Sequence, residues 1–271
     1  MNVITLEVDG VNKDINCPES FAEMTGKQLI EACRYIIARK TSLIIPESFF
    51  IVIASIPEDI LPLLDRYQRF SIAESFNWLL DENKELSFRD QKIDSIKLNK
   101  IELFSYQGNF GNLTWEEFIY ADQLMINKLY KNLASALYRP IRPDYNGETD
   151  RRIPFSIYGT NNRLSLFDKI DDALLLAIIF NYLAMRSACL EEKYTEVFPY
   201  RDMIDENENQ DDEEQEEKQT EPVNFSWVSV HRNLLGDQFY HEDKILQTNV
   251  HTILNRLNEL IKENKKHRNG K

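Results

Sequence analysis

Histidines, cysteines and adjacent carboxylates are the residues of this 271-residue chain that could do acid–base, metal or nucleophilic chemistry. All four histidines lie late, at His231, His241, His251 and His267. Three fall ten residues apart, which is not the i, i+4 spacing that puts two metal ligands on one helix face. No cysteine lies near enough in sequence to complete a zinc set. Surface or helix-flanking histidines explain the pattern better than a metal centre. The first two hundred residues contain no histidine and so lack the commonest general base. Cys17, Cys33 and Cys189 are odd in number and widely spaced, which implies neither a metal site nor a disulfide framework and predicts a reduced, cytoplasmic setting. Glu116-Glu117 and Asp171-Asp172 have the chemistry of an acid–base or metal pair. Each falls in the first turn of a predicted helix, where negative charge complements the helix dipole, and that placement accounts for them. Gly108 and Gly111 lack the Lys-Ser/Thr of a phosphate loop and precede an acidic helix start that would repel phosphate. The residues therefore predict no enzyme, no cofactor and no metal site.

The patch with the most recognition chemistry is a loop carrying Arg139, Arg142, Arg151, Arg152 and Arg163, interleaved with Tyr138, Tyr145 and Tyr158. Guanidinium forks suit carboxylates, and Arg and Tyr are favoured at interfaces. The bland account is a solvated loop pairing with Asp144, Glu148 and Asp150. The sharper one is a surface that docks an acidic partner, the chain's own acidic tract included. Arg139, Arg142, Tyr145, Arg151 and Arg152 are its candidate contacts. Trp227 joins them as the anchor of a later helix that either folds back on the core or reaches a second protein.

The elements that must position these residues begin with a phrase the chain uses twice. Met24-Thr25-Gly26-Lys27-Gln28-Leu29 and Leu113-Thr114-Trp115-Glu116-Glu117-Phe118 each place Thr at a helix N-cap, with Gln or Glu three residues on. Each also brackets the cap with an apolar pair. These are the marks of a capping box and a hydrophobic staple. Before the first copy, Ile4, Leu6 and Val8 alternate, Asp9-Gly10 supplies a tight turn, and residues 11–15 return as a second strand. Before the second copy, Ile96, Leu98, Ile101 and Leu103 mark another strand pair. Thr25 is expected to cap a helix to Arg39. Residues 43–70 should form short helices broken at Pro46, Pro57 and Pro62, and the next helix should run from Ser71 to Leu80. Thr114 should cap a long helix reaching Ala136, and a second should span residues 165–192. The final helices are placed around Trp227, ending at Gly236, and after Asn249.

Residues 202–221 hold eleven acids and one lysine, so most of the net charge of −13 comes from one tract. Such a tract is expected to be disordered. The rest is near neutral, which disfavours nucleic acid as a partner. The most apolar run, residues 173–184, is too short to span a bilayer, and the start shows no signal-peptide pattern. The predicted fold is α+β and mainly helical, with two small β-hairpin elements each leading into a capped helix, and a C-terminal helical segment. It divides into an N-terminal hairpin and helices (1–110), a helical core with the Arg-rich loop (111–200), an acidic disordered linker (201–222) and the C-terminal segment (223–271).

Several of these segments carry a resemblance. Pro18-Glu19-Ser20-Phe21 with Glu23-Met24-Thr25, the stretch from Leu113 to Asp122, Ala136-Leu137-Tyr138-Arg139-Pro140, Arg152-Ile153-Pro154-Phe155 and Val197-Phe198-Pro199 resemble proteins of tailed-bacteriophage tail modules. The Trp227 helix, Gly236 turn and Thr252-Ile253-Leu254 helix resemble the end of tail assembly chaperones. The resemblance implies a non-catalytic chaperone in the host cytoplasm that binds tail proteins, the tape measure among them. Tail chaperones are often shorter and made as two products by a frameshift. This chain is one long product, which keeps open a structural neck or tail component of the virion.

Overall fold

The computed structural model describes residues 2–8, 11–41, 45, 47–81, 86–147, 150–198, 227–235 and 241–269. The Asp9-Gly10 turn, Pro46, Pro199, the acidic tract with its linker boundaries, and Gly236 lie outside the described residues. The fold is α+β and mainly helical, as the patterns predict. Strand β1 (Asn2–Val8) pairs antiparallel with β2 (Val11–Cys17), in register from Asn2↔Cys17 to Val8↔Val11. Strand β3 (Ser95–Leu98) pairs with β4 (Ile101–Phe104), and Ile96 lies opposite Leu103, both buried. The β3–β4 turn is Asn99-Lys100, and both residues have positive φ (47° and 69°). That is the backbone of a mirror-image turn, which usually recruits glycine.

Both copies of the repeated phrase cap a helix, but they use the third residue differently. Helix α1 (Gly26–Thr41) opens on a closed box. The Gln28 amide donates to Thr25 Oγ1 at 3.3 Å, and the Thr25 amide donates to Gln28 Oε1 at 2.9 Å. A Cβ on Gly26 would lie 2.0 Å from the Lys92 carbonyl oxygen, so glycine is what lets this helix abut that loop. In helix α3 (Trp115–Ile126) the Glu117 amide donates to Thr114 Oγ1 at 3.3 Å, but no return bond from the Glu117 side chain forms. The Trp115 amide donates instead to the Thr248 carbonyl at 2.8 Å. The staple pairs Met24 with Leu29 and Leu113 with Phe118 are all buried.

Three helix boundaries differ from expectation, each for a local reason. Helix α2 spans Arg66–Glu74 because Asp65 and Gln68 form a second closed capping box, so Ser71 lies inside the helix and does not start one. The long helix from Thr114 stops at Ile126. Lys128 takes a left-handed φ of 57°, and the amides of Lys128 and Leu129 bond back to Met125 and Leu124. This is a Schellman termination with lysine where glycine is usual, and α4 (Tyr130–Leu137) starts afresh. The helix expected over 165–192 is divided. Helix α5 (Ile157–Arg163) runs into a 3-10 turn, and α6 (Asp172–Arg186) begins where Asp171 caps the Leu174 amide. Helix α6 continues through a π-helical turn to Glu191, so Asp172–Glu191 is a 20-residue helix long and apolar enough to cross a membrane by length and composition. Burial of 67% of its most apolar window inside the fold is the behaviour of a central core helix. Its Asn181 accepts from the Lys92 amide at 2.9 Å and donates to Gln91, tying α6 to the loop that α1 abuts.

The C-terminal helices α7 (Trp227–Leu235) and α9 (Val250–Asn269) share this core through Trp227, Val250 and Leu254, and α8 (Glu242–Leu246) packs the partly buried Ile245 and Leu246 against it. Residues 248–251 clamp the segment that leads into α3. Asn249 Nδ2 donates to the Gly111 carbonyl at 2.9 Å, and the Val250 amide donates to the Leu113 carbonyl at 3.0 Å. His251 sits between the Asn109 carbonyl (2.6 Å from Nε2) and the Tyr194 hydroxyl (2.7 Å from Nδ1). A carbonyl only accepts, so Nε2 carries the proton and Nδ1 accepts from tyrosine. Burial lowers the His251 pKa, the Asn109 carbonyl opposes that shift, and Lys193 adds to it.

Two measurements test these assignments. Thr25→Ala and Thr114→Ala should each lower stability by about 1 kcal/mol in urea denaturation, and a parent-like midpoint for either rejects the cap assigned to it. The folded chain holds His251 below its ordinary value of 6.5. The neutral ring's contribution is therefore whole above that value and is lost as pH falls through the folded pKa. Between about pH 7.5 and about pH 5 the parent should lose stability relative to His251→Gln. Parallel pH profiles would remove His251 from the clamp.

Candidate partner-binding site

The Arg-rich loop is a doubled-back ribbon rather than an irregular connection. The Arg139 and Phe104 amides donate to each other's carbonyls, extending β4. The Arg142 amide bonds to the Arg151 carbonyl at 2.7 Å, and the Ile153 amide bonds to the Pro140 carbonyl at 2.9 Å. This pairing sorts alternate side chains to opposite faces. Arg139 and Arg152, expected at a partner surface, are each only 1% exposed. Arg152 Nη1 donates to Glu117 Oε1 at 2.8 Å, and Arg139 Nη2 donates to Glu117 Oε2 at 3.0 Å. Asp150 completes the set, accepting from Arg152 Nη2 at 2.8 Å, with Arg139 Nη2 3.5 Å away. Two buried guanidinium groups thus face two carboxylates, Glu117 buried and Asp150 partly exposed. The physical reason is that Glu117, free of the capping box, is a buried anion that needs partners.

Burial lowers the Arg139 pKa against the pull of Glu117. In Arg152 burial acts the same way, but Glu117 and Asp150 outweigh it and the net shift is upward. Arg139 also lies over the Phe155 ring at 5.7 Å, while its Nε and Nη1 find no hydrogen-bond partner. Arg163 donates to the Ser135 carbonyl at 3.1 Å, and burial, with Arg139 second, lowers its pKa to about 10. Tyr138 turns inward too, donating to the Ile93 carbonyl at 2.7 Å.

The outer face of the ribbon keeps the remaining candidates. Arg142 forks onto Asp144 at 2.7 Å and 2.5 Å and holds that carboxyl down at about 2. Arg151 pairs with Asp94 and lies 4.4 Å over the Phe104 ring. Tyr145 is 36% exposed. Trp227 belongs to the interior. Its indole Nε1 donates to Asp122 Oδ2 at 2.6 Å, and its ring meets Trp115, Phe118 and Phe198 edge-on at 5.3, 5.1 and 5.7 Å. Asp122 also accepts from Arg186 Nε at 2.7 Å. Of the two fates open to the Trp227 helix, the structure holds the first, packing on the core.

Beside the ribbon lies a cleft of about 250 Å³ that no sequence pattern marks. Helix α3 supplies Glu116, Ile119, Tyr120 and Gln123, α5 supplies Ile157, α7 supplies His231, and α8 supplies Glu242 and Leu246. The lining comes from four helices far apart in the chain, so no single stretch of sequence announces it. Tyr158, next to Ile157, is 77% exposed. Glu116 accepts from Gln247 at 3.2 Å, and its pKa is raised by burial, then by Asp243. Glu242 lies 3.4 Å from His231. The cleft is apolar at its base and acidic at its rim. Catalytic groups are differently placed. All three thiols are buried, which pushes Cys17 and Cys189 up to about 11 and Cys33 higher, away from the reactive thiolate form. Among the described residues no group of three or more His, Cys, Asp or Glu is arranged to hold a metal.

Removing Glu117 leaves two buried cations short of a partner, so Glu117→Ala should cost roughly 3–5 kcal/mol. Arg142→Ala, which breaks a surface pair in the same ribbon, should cost at most about 1 kcal/mol. Urea midpoints separate the two. A small loss for Glu117→Ala would mean that the buried arginines are neutralised without it.

Compared with known proteins, the chain matches no family model, no curated protein and no solved structure.

Proposed function

We propose that this protein is a non-catalytic binding protein that holds a segment of another protein in the α3–α5–α7–α8 cleft, acting in phage tail morphogenesis as a tail assembly chaperone-like factor. The observation that carries the binding reading is the cleft itself. Ile119, Tyr120, Ile157 and Leu246 offer apolar surface, Glu116 and Glu242 stand at the edge, and the exposed Tyr158 lies alongside. An amphipathic helix with an apolar face and flanking Lys or Arg is the segment such a groove suits. The tail-module reading rests on the resemblance of the residue 113–122, 136–140 and 152–155 segments and the C-terminal helices, with tail proteins, the tape measure among them, as the expected partners.

Co-expression with tail-module proteins from a phage carrying this chain should recover a complex. Ile157→Asp with Tyr158→Asp should reduce recovery by roughly tenfold or more, since a lost aromatic anchor commonly costs above 1 kcal/mol. Arg152 is no probe of the surface, because its substitution would disturb the interior. Parent-like recovery by the Asp variant rejects the cleft, and recovery of no tail protein rejects the tail reading. Mass spectrometry of purified virions should find the protein absent, and its presence there would assign it to the neck or tail structure instead.

A further inference from the structure

Helix α2 carries an apolar face that nothing among the described residues covers. Tyr67 is 79% exposed and Phe70 55%, on a helix whose opposite side buries Ile72 and Ala73. Leu63, in the turn before the cap, is 58% exposed. The face is not a loose edge. Asp65 and Gln68 close the capping box, and Arg69 turns inward to donate to the carbonyls of Leu61 at 2.7 Å and Leu64 at 3.2 Å. The exposed positions are Arg66, Tyr67, Phe70, Ser71 and Glu74, a single helical stripe. Among the described residues neither Arg66 nor Glu74 has an ion-pair partner. Tyr67 and Phe70 side by side at this exposure, with Leu63 just before them, are more than scattered surface hydrophobicity explains.

The charges at the two ends decide the occupant. Arg66 lies four residues before Phe70 and Glu74 four residues after it, about 6 Å to either side along the axis. The stripe is therefore complementary to itself when reversed. We infer that a second copy of this chain docks here, with the two α2 helices antiparallel about a two-fold axis through Phe70. Phe70 then meets Phe70 of the second copy, Arg66 faces Glu74 of that copy twice over, and the small Ser71 leaves room for Tyr67. An isologous contact of this kind closes on itself and gives a dimer rather than a fibre. One nine-residue helix per side makes a small interface, so the dimer is weak and concentration-dependent.

Sedimentation velocity of the full chain from about 1 µM to about 1 mM covers the range of such a contact. A monomer–dimer equilibrium is expected, weakened by at least roughly thirtyfold in Phe70→Glu. Arg66→Glu and Glu74→Arg should each weaken it, and the double swap Arg66→Glu/Glu74→Arg should restore it, because the swap rebuilds both cross-pairs. The three side chains are exposed, and thermal melts matching the parent confirm that each variant folds. The double swap supplies a folded control in any case. A parent that stays monomeric throughout overturns the inference. So does a dimer that is indifferent to Phe70→Glu, or one that the single swaps weaken and the double swap fails to restore.

Discussion

The carboxylate of Glu117 is the interaction on which the middle of this protein depends. It sits in the first turn of α3, where an acid serves the helix dipole, yet it is fully buried and shared by Arg139 and Arg152. Those arginines are the two legs of the ribbon that leaves α4 and returns toward α5. One anion therefore holds a helix start and both strands of a loop together. Desolvating these ions costs several kcal/mol each, and only the fork geometry and the added bonds to Asp150 and the Leu137 carbonyl offset it. The arrangement specifies one position for the ribbon more than it adds net stability, because any displaced register leaves a charge without a partner.

A second polar link does similar work on the other side of α3. Asp122 lies on the same helix as Glu117 and accepts from Trp227 and Arg186, so it joins α7 and α6. Around it Trp115, Phe118 and Phe198 enclose the indole. Helix α3 thus carries two buried acids, one for the ribbon and one for the C-terminal segment, with apolar positions between them. The cleft opens on the remaining side of the same helix, so its shape depends on both.

Elements with local signals were legible before any coordinates. Thr25 and Thr114 cap helices, the alternation at residues 4–8 makes a strand, and the apolar run 173–184 is the centre of the core helix. Failures cluster where a residue does what its type seldom does. Lys128 ends a helix in a left-handed conformation usually given to glycine, and Asn99-Lys100 turns a hairpin without one. Asp65-x-x-Gln68 has the form of a capping box, but Pro57 and Pro62 before it mark breaks more strongly than a helix start. The candidate site was the least legible part. Arg139, Arg142, Arg151 and Arg152 look alike in a sequence, and only pairing of the ribbon decides which turn inward. The carboxylate that claims two of them lies 22 and 35 residues away. Trp227 was visible as an anchor, but not the acid it would find 105 residues earlier.

The clamp of residues 248–251 on the entrance to α3 carries a consequence for synthesis. The Asn109 carbonyl waits for His251, made 142 residues later, and the Gly111 carbonyl waits for Asn249, 138 residues later. A chain emerging from the ribosome at about 5–20 residues per second therefore spends roughly 7–28 seconds with α3 begun but its entrance unfinished. During that interval Trp115 and Phe118, destined for the enclosure around Trp227, lack their cover. The nascent protein exposes this aromatic strip until α7 is made, and the entrance to α3 stays open until residues 248–251 follow, so loss of the C-terminal helices would reach the heart of the fold.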